Sequence, residues 1–156
     1  MPLNYDIKAR GIDEIMKKTK PEIYRVPMAK MFNRLGNQAR DIAVRTAPKN
    51  SGELHRSIKA DIKPLSARVF STANYAVPVE VGRRKNSRMP PLEPIRAWLR
   101  SKRKDPRLAY VVARAIARRG IKGRFFMKAA FQAVQVKLPL GLKRVEREIA
   151  ATWSKK

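Results

Sequence analysis

Apolar side chains recur every three or four positions across residues 28–46. The members of this stripe are Met28, Met31, Phe32, Leu35, Ala39, Ile42, Ala43 and Thr46. Because that spacing puts the side chains on one face, the segment is predicted to form an amphipathic α-helix. The helical pattern begins at Pro21, and since proline is best tolerated in a first helical turn, Pro27 predicts that the regular part of the helix begins near that residue. The Pro, Asn, Ser and Gly within residues 47–52 predict its end.

The pattern then changes to a period of two. Within residues 57–63, Ile58, Ala60 and Ile62 alternate with Lys59, Asp61 and Lys63, which predicts a half-buried strand. A turn over residues 64–67 and a second strand over residues 68–72 complete a predicted hairpin. Residues 75–81 also alternate, with Tyr and three Val on one side. Pro78 leaves two alternatives open for that segment, an edge strand or a short helical turn.

Helical periodicity returns after a predicted loop at residues 83–91. Pro94 fits the first turn of a helix that places Ile95, Trp98 and Leu99 on one face. Three or four helices are predicted in this part of the chain.

The following helix has the clearest boundary signals. Asp105 is a candidate N-cap, Pro106 fits the first helical position and Gly120 predicts the end. Its predicted apolar stripe is Leu108, Val111, Val112, Ala115 and Ile116. The stripes of two later helices are Phe125, Phe126, Ala129, Ala130, Ala133 and Val134, then Leu142, Val145, Ile149 and Trp153.

The order of helix, strands and further helices predicts an α+β fold. A small antiparallel β-sheet is expected to be packed by the long N-terminal helix, with several C-terminal helices. The 156 residues fit one domain. We expect residues 1–20 to form an N-terminal arm, residues 21–136 the α+β core domain, and residues 137–156 a C-terminal helix or arm.

The net charge of the chain is its most informative feature beyond the predicted fold. The chain has 37 Lys and Arg against 12 Asp and Glu, a net charge of +25. Residues 83–128 hold 16 Lys and Arg but two acids, and so carry +14 of that excess. A chain with such a charge is attracted to anionic surfaces.

The basic runs at residues 82–88, 100–104 and 117–124 admit two interpretations. They could contact nucleic-acid phosphates, or they could face acidic patches on protein partners. The residues predicted to dock onto a subunit or partner are Arg83, Arg84, Lys85, Arg88, Met89, Pro90, Pro91 and Trp98. The residues predicted to face DNA or an acidic partner are Lys102, Arg103, Lys104, Arg118, Arg119, Lys122 and Arg124.

Residues that could carry catalysis are sparse. There is no Cys, and His55 is the one histidine, so a metal site would have to rely on scattered carboxylates. Glu146 and Glu148 are two apart on a predicted helix and therefore lie on different faces. No glycine-rich phosphate loop occurs. We predict no enzyme activity, no catalytic or metal residue and no cofactor.

Four segments follow one another in a recognisable order. Ala47, Pro48, Gly52, Leu54, Ser57 and Ile58 match the pattern Ala-Pro-x-x-Thr-Gly-x-Leu-x-x-Ser-Ile. Tyr75, Ala76, Val79, Glu80 and Gly82 match Tyr-Ala-x-x-Val-Glu-x-Gly. The segment around Trp98 comes next, and Gly123, Phe126 and Ala130 match a late Gly-x-x-Phe pattern. This order resembles the small tail components of long-tailed bacteriophages, the tail-completion or head–tail joining proteins that include minor tail proteins. Ser51 stands where that family has Thr, and Arg83 where it has a small or hydroxyl residue.

This resemblance implies a structural virion protein, located at the neck or the top of the tail and present in the host cytoplasm during assembly. It implies a homo-oligomeric ring, a hexamer by the symmetry of a tail tube. The implied neighbours are the phage connector, the tail terminator or the tail tube proteins, with non-specific contact to genomic DNA as a further possibility. A protein in such a ring contacts neighbours on several sides, and a Pro-rich cationic loop is suited to making one of those contacts.

The alternative prediction is a basic protein that binds nucleic acid without sequence specificity. The aromatic residues Trp98, Phe125 and Phe126 lie on predicted core stripes rather than on a stacking surface, and no DNA-binding motif is found. We expect no membrane association, since no apolar run approaches the roughly 18 residues of a membrane span and the first ten residues lack the core of a secretory signal.

Overall fold

The computed structural model describes residues 3–7, 17, 19–49 and 51–153. Its strands are β1 (Leu3–Ile7), β2 (Ile58–Lys63), β3 (Ser66–Ser71), β4 (Gly82–Arg83) and β5 (Ile121–Lys122). Its helices are α1 (Pro21–Thr46), α2 (Glu53–Ser57), α3 (Ala76–Val81), α4 (Leu92–Ser101), the 3₁₀ helix η1 (Pro106–Leu108), α5 (Ala109–Arg119), α6 (Phe126–Gln135) and α7 (Leu138–Trp153). The predicted α+β class is confirmed, with a small antiparallel sheet packed against the long helix α1.

The chain forms two compact units that differ from the predicted division. Unit 1 contains the described residues up to Asn74 and from Phe126 onward, and unit 2 is Tyr75–Phe125. Within unit 1, β1 pairs with β3, although it falls in the predicted arm at residues 1–20. Helix α7, from the predicted terminal segment at residues 137–156, packs on α1. Both ends therefore contribute to unit 1, because each buries apolar side chains there.

The three-stranded sheet has the order β1-β3-β2, with both pairs antiparallel, and the predicted hairpin is confirmed. Helix α1 lies against the sheet at Gly36, where an added Cβ would come within 3.0 Å of the Ala67 Cβ. On the sheet's solvent side, Arg68 donates to Asp6 over 2.7 Å. The pKa of Arg68 is raised mainly by that hydrogen bond and next by the negative charge of Asp6. The charge of Asp61, on the other flanking strand, raises it further.

The predicted start of the helical pattern at Pro21 is confirmed, and the prediction that its regular part begins only near Pro27 is wrong. Helix α1 begins at Pro21, which occupies a first-turn position, and Pro27 lies inside the helix. An interior proline removes one backbone hydrogen bond. The helix continues through it because the flanking Tyr24 and Met28 are both buried in the core of unit 1.

A buried hydroxyl pair joins α2 to the sheet. The Ser57 hydroxyl donates to the carbonyl of Leu54 over 2.7 Å, which leaves its oxygen to accept from the Ser71 hydroxyl, also at 2.7 Å. The Ser71 oxygen in turn accepts from the backbone N–H of Ala73. These contacts explain Ser57 in the family-like segment as a requirement of the fold.

We expect Ser71→Ala to destabilise the protein by about 1–2 kcal/mol, because it removes one partner from a buried hydrogen-bond chain. Urea unfolding followed by circular dichroism would measure this difference. The neighbouring exposed Thr72→Ala variant is the control and should stay within about 0.5 kcal/mol of the parent protein. Equal stabilities for the two variants would contradict the assigned role of Ser71.

Candidate partner-docking surface

Unit 2 is built on a hairpin of α4 and α5. Its core consists of Ile95, Leu99, Ala109 and Ala113, with Leu92, Val112 and Ile116 packed at the edge. The predicted stripes are only partly right, since Trp98 is 43% exposed, Leu108 47% and Val111 62%. Because the two small alanines line the interface, α5 is turned from its predicted orientation and its larger side chains face outward.

The predicted boundaries of this hairpin are confirmed. An Asp105 side-chain oxygen accepts from the Arg107 backbone N–H over 2.8 Å, and Pro106 occupies a first-turn position of η1. Gly120 ends α5 with φ of 73°, and its N–H donates to the carbonyl of Ile116. The Asp105 cap is a local signal, whereas Gly120 also meets distant backbone, since an added Cβ there would lie 2.3 Å from the Arg83 carbonyl oxygen.

Of the two alternatives for residues 75–81, the helical turn is the one formed. The buried side chains of α3 are Ala76 and Glu80, four residues apart, whereas Tyr75 and Val81 are exposed. The predicted alternation is therefore wrong, because a helix groups side chains at a spacing of four rather than two.

A close backbone crossing follows α3. Strand β4 pairs with β5, so Arg83 lies in a strand rather than in the predicted loop at residues 83–91. The N–H of Arg124 donates to the carbonyl of Val79, and that of Phe125 donates to the carbonyl of Glu80. A Cβ added at Gly82 would lie 2.4 Å from the Ile121 carbonyl oxygen.

The predicted docking loop is organised by its first cation. The half-buried Arg83 guanidinium donates to the Ser87 hydroxyl and to the carbonyl of Arg88, and the Ser87 N–H donates to the carbonyl of Ala117. The Arg83 guanidinium therefore makes its hydrogen bonds within the loop. Pro90 is also half-buried, and the remaining members of the predicted docking set are exposed: Arg84, Lys85, Arg88, Met89, Pro91 and Trp98.

The cations predicted to face DNA or an acidic partner are all exposed, and five of them lie at helix ends. Lys102, Arg103 and Lys104 follow α4, with Arg103 in the left-handed region at φ of 54°. Arg118 and Arg119 form the last turn of α5. Helix C-termini favour positive charge, so these cations also stabilise the helices that carry them. Lys122 and Arg124 lie in and just after β5.

The acids of unit 2 cannot neutralise its surface. Unit 2 holds 15 Lys and Arg but three acids, a net charge of +12. Glu80 is buried, Glu93 pairs with Arg96 over 3.0 Å, and Asp105 caps η1. Among the described residues of this unit, the remaining cations form no ion pair. Its exterior therefore presents almost uniform positive charge.

Large apolar side chains are exposed on the same unit. Of twelve such residues in the described part of the chain, nine lie in unit 2: Tyr75, Val81, Met89, Trp98, Leu108, Tyr110, Val111, Ile121 and Phe125. The predicted docking set contains two of these nine, Met89 and Trp98, whereas Leu108, Val111 and Phe125 were assigned to core stripes. The sequence could have identified Tyr110 as an exposed residue, since it lies outside every predicted apolar stripe. Exposed apolar residues concentrated in one unit are typical of interaction surfaces.

We define the docking surface as the outward face of α5, formed by Tyr110, Val111, Arg114 and Arg118. Val111, Arg114 and Arg118 lie on the side of the helix away from the buried Ala109 and Ala113, and the exposed Tyr110 borders that side. Arginine can fork onto a carboxylate while the apolar neighbours exclude water, which suits contact with an acidic protein surface.

His55 has a structural contact. Its Nε2 lies 3.0 Å from the carbonyl of Ala47 and must donate to it, since a carbonyl only accepts. The described residues hold no group of three His, Cys, Asp or Glu side chains able to bind a metal ion.

Within the same residues, no helix has both the length and the apolar composition to cross a bilayer. No family model, no curated protein and no solved structure matches this chain.

Proposed function

We propose that the chain is a non-enzymatic assembly subunit that docks through unit 2 onto an acidic surface of a neighbouring protein. The observation that carries this proposal is the concentration of exposed apolar side chains among uncompensated cations in unit 2. Protein interfaces combine apolar contacts with arginine in this way. A second copy of unit 2 does not fit as the partner, because two surfaces of the same charge repel each other.

Two features favour a protein partner over nucleic acid. The docking surface includes the aliphatic Val111, which cannot stack on bases, and the neighbouring Leu108 is also exposed. The cationic clusters follow the C-terminal ends of α4 and α5, whereas bound phosphates favour helix N-termini. Phosphate contact by the same cations is the competing explanation.

The family resemblance supports a more specific role, a virion protein at the junction of head and tail in a long-tailed phage. In that role the chain forms a ring, with the sixfold symmetry that the resemblance implies. The docking surface then faces the connector, the tail terminator or the tail tube. A ring around the genome path is also compatible with a cationic lining.

Deletion of the gene from the phage that encodes it tests this role. We expect negative-stain images of the lysate to show separate full heads and separate tails, with joining restored when the intact gene is supplied in trans. Infectious, intact particles without the protein would refute the assignment. Salt-sensitive binding of the purified protein to duplex DNA, together with intact particles, would favour the nucleic-acid alternative.

A further inference from the structure

Unit 1 contains an open groove of about 320 Å³ between α1 and the segment that runs from Lys137 into α7, in a different unit from the docking surface. On α1 it is lined by Pro27, Lys30, Met31, Arg34, Leu35 and Gln38. On the second side it is lined by Lys137, Leu140, Gly141, Arg144, Val145 and Glu148. Both sets advance with the same spacing of three and four residues, so the groove runs along two helices for about 16 Å.

The helices approach each other closely at one point of the groove. A Cβ added at Gly141 would lie 2.9 Å from the Met31 sulfur, so glycine permits this approach. Met31, Leu35 and Val145 are buried and form an apolar floor, while Leu140 is 68% exposed. A surface of this kind can bury the apolar face of a third helix.

The rim of the groove is cationic. Lys30, Arg34, Lys137 and Arg144 are all exposed, and none forms an ion pair with another described residue. Glu148 is the one acid in the lining. The groove therefore combines an apolar floor with a rim of net charge +3.

We propose that this groove binds an acidic amphipathic helix of a partner protein, about three turns long. Its apolar residues would lie on the floor and its carboxylates would meet the four cations. A second copy of this chain does not offer such a helix, because every described helix of eight or more residues carries more cations than acids. The proposal is independent of the docking surface on unit 2.

A synthetic peptide of about 14 residues, with Leu along one helical face and Glu elsewhere, provides the probe. Binding would be followed by fluorescence anisotropy with the full-length protein. We expect the double variant Arg34→Glu, Lys137→Glu to raise Kd by roughly tenfold or more. The control Lys59→Glu, Lys63→Glu makes the same change in net charge on the sheet's exposed residues and should leave Kd within about twofold.

Two further measurements separate groove binding from general attraction to anions. A scrambled peptide of identical composition should bind much more weakly, because it lacks a continuous apolar face. A photo-leucine at the centre of that face should crosslink to Met31, Leu35 or Leu140. Equal binding of the scrambled peptide, an equal loss in the control variant, full competition by duplex DNA, or crosslinks elsewhere would each overturn the proposal.

Discussion

Gly82→Ala is expected to unfold unit 2 while leaving unit 1 folded. Gly82 has φ of 86° and ψ of −167°, a region that is essentially restricted to glycine. The added Cβ would also lie 2.4 Å from the Ile121 carbonyl oxygen and 2.5 Å from the Gly123 nitrogen, both backbone atoms of the crossing segment. Neither conflict can be relieved by a side-chain rotation, so we expect a loss of about 3 kcal/mol or more.

Hydrogen exchange measured by mass spectrometry would show where that loss occurs. Unit 2 has a small core, formed chiefly by Ile95, Leu99, Ala109 and Ala113, and small cores tolerate little destabilisation. We expect fast exchange within residues 75–125 and protection retained in α1 and the sheet.

Gly52→Ala is the matched control for this prediction. Gly52 also has positive φ, at 76°, but its ψ of −3° belongs to the ordinary left-handed region. The nearest atom to its added Cβ is the end of the flexible Arg56 side chain, at 3.2 Å. The cost should be about 1 kcal/mol. If Gly82→Ala were no more damaging than Gly52→Ala, the backbone crossing would not be required for unit 2.

The double variant Tyr110→Glu, Val111→Glu should fold normally and fail in assembly. Both side chains are more than half exposed, at 53% and 62%, so stability should change by less than about 1 kcal/mol. At a docked interface the same two side chains would be desolvated, and buried glutamates would meet an acidic partner. We expect about a hundredfold loss in the yield of joined particles when this variant replaces the protein.

The control for the assembly defect is Lys59→Gln, Lys63→Gln. It lowers the net charge by the same two units, on exposed positions of β2 in unit 1. Complementation of the gene deletion, scored by infectious titre and by negative stain, compares the two variants. Normal joining with the α5 variant would show that the docking surface is not needed for assembly. An equal defect in the α5 variant and the control would show that net charge alone causes the loss.

The residues that carry the family resemblance are explained by the fold. Ala47 and Leu54 are buried, Gly52 adopts positive φ, and Ser57 belongs to the hydroxyl chain. In the later segments Ala76, Glu80, Phe126 and Ala130 are buried, and a Cβ at Gly123 would lie 2.5 Å from the Glu80 carbonyl oxygen. Apart from the exposed Tyr75, the residues that carry the resemblance therefore mainly position backbone and core, and partner choice rests on exposed side chains.

Local signals in the sequence were sufficient for much of this architecture. The alternation in β2 and the stripe of α1 predicted a hairpin and a long helix, because burial on one face imposes a period of two or 3.6. Asp105 and the glycine at position 120 predicted the two ends of the η1–α5 segment within a few residues. The net charge and its concentration near residues 83–128 also required no structure.

Tertiary packing decided the features that depend on distant residues. Strand β1 forms because β3 offers an unpaired edge. Helix α1 continues through Pro27 because Tyr24 and Met28 are buried. Strand β4 pairs with β5, which follows it by almost forty residues in the chain. Which residues of α5 face outward depends on its contact with α4, and the groove exists only where α1 and α7 come together. Periodicity measures local preference alone, so the sequence determined the long helix, the hairpin and the later helices, whereas packing determined the strands β1 and β4 and which side chains are left to bind a partner.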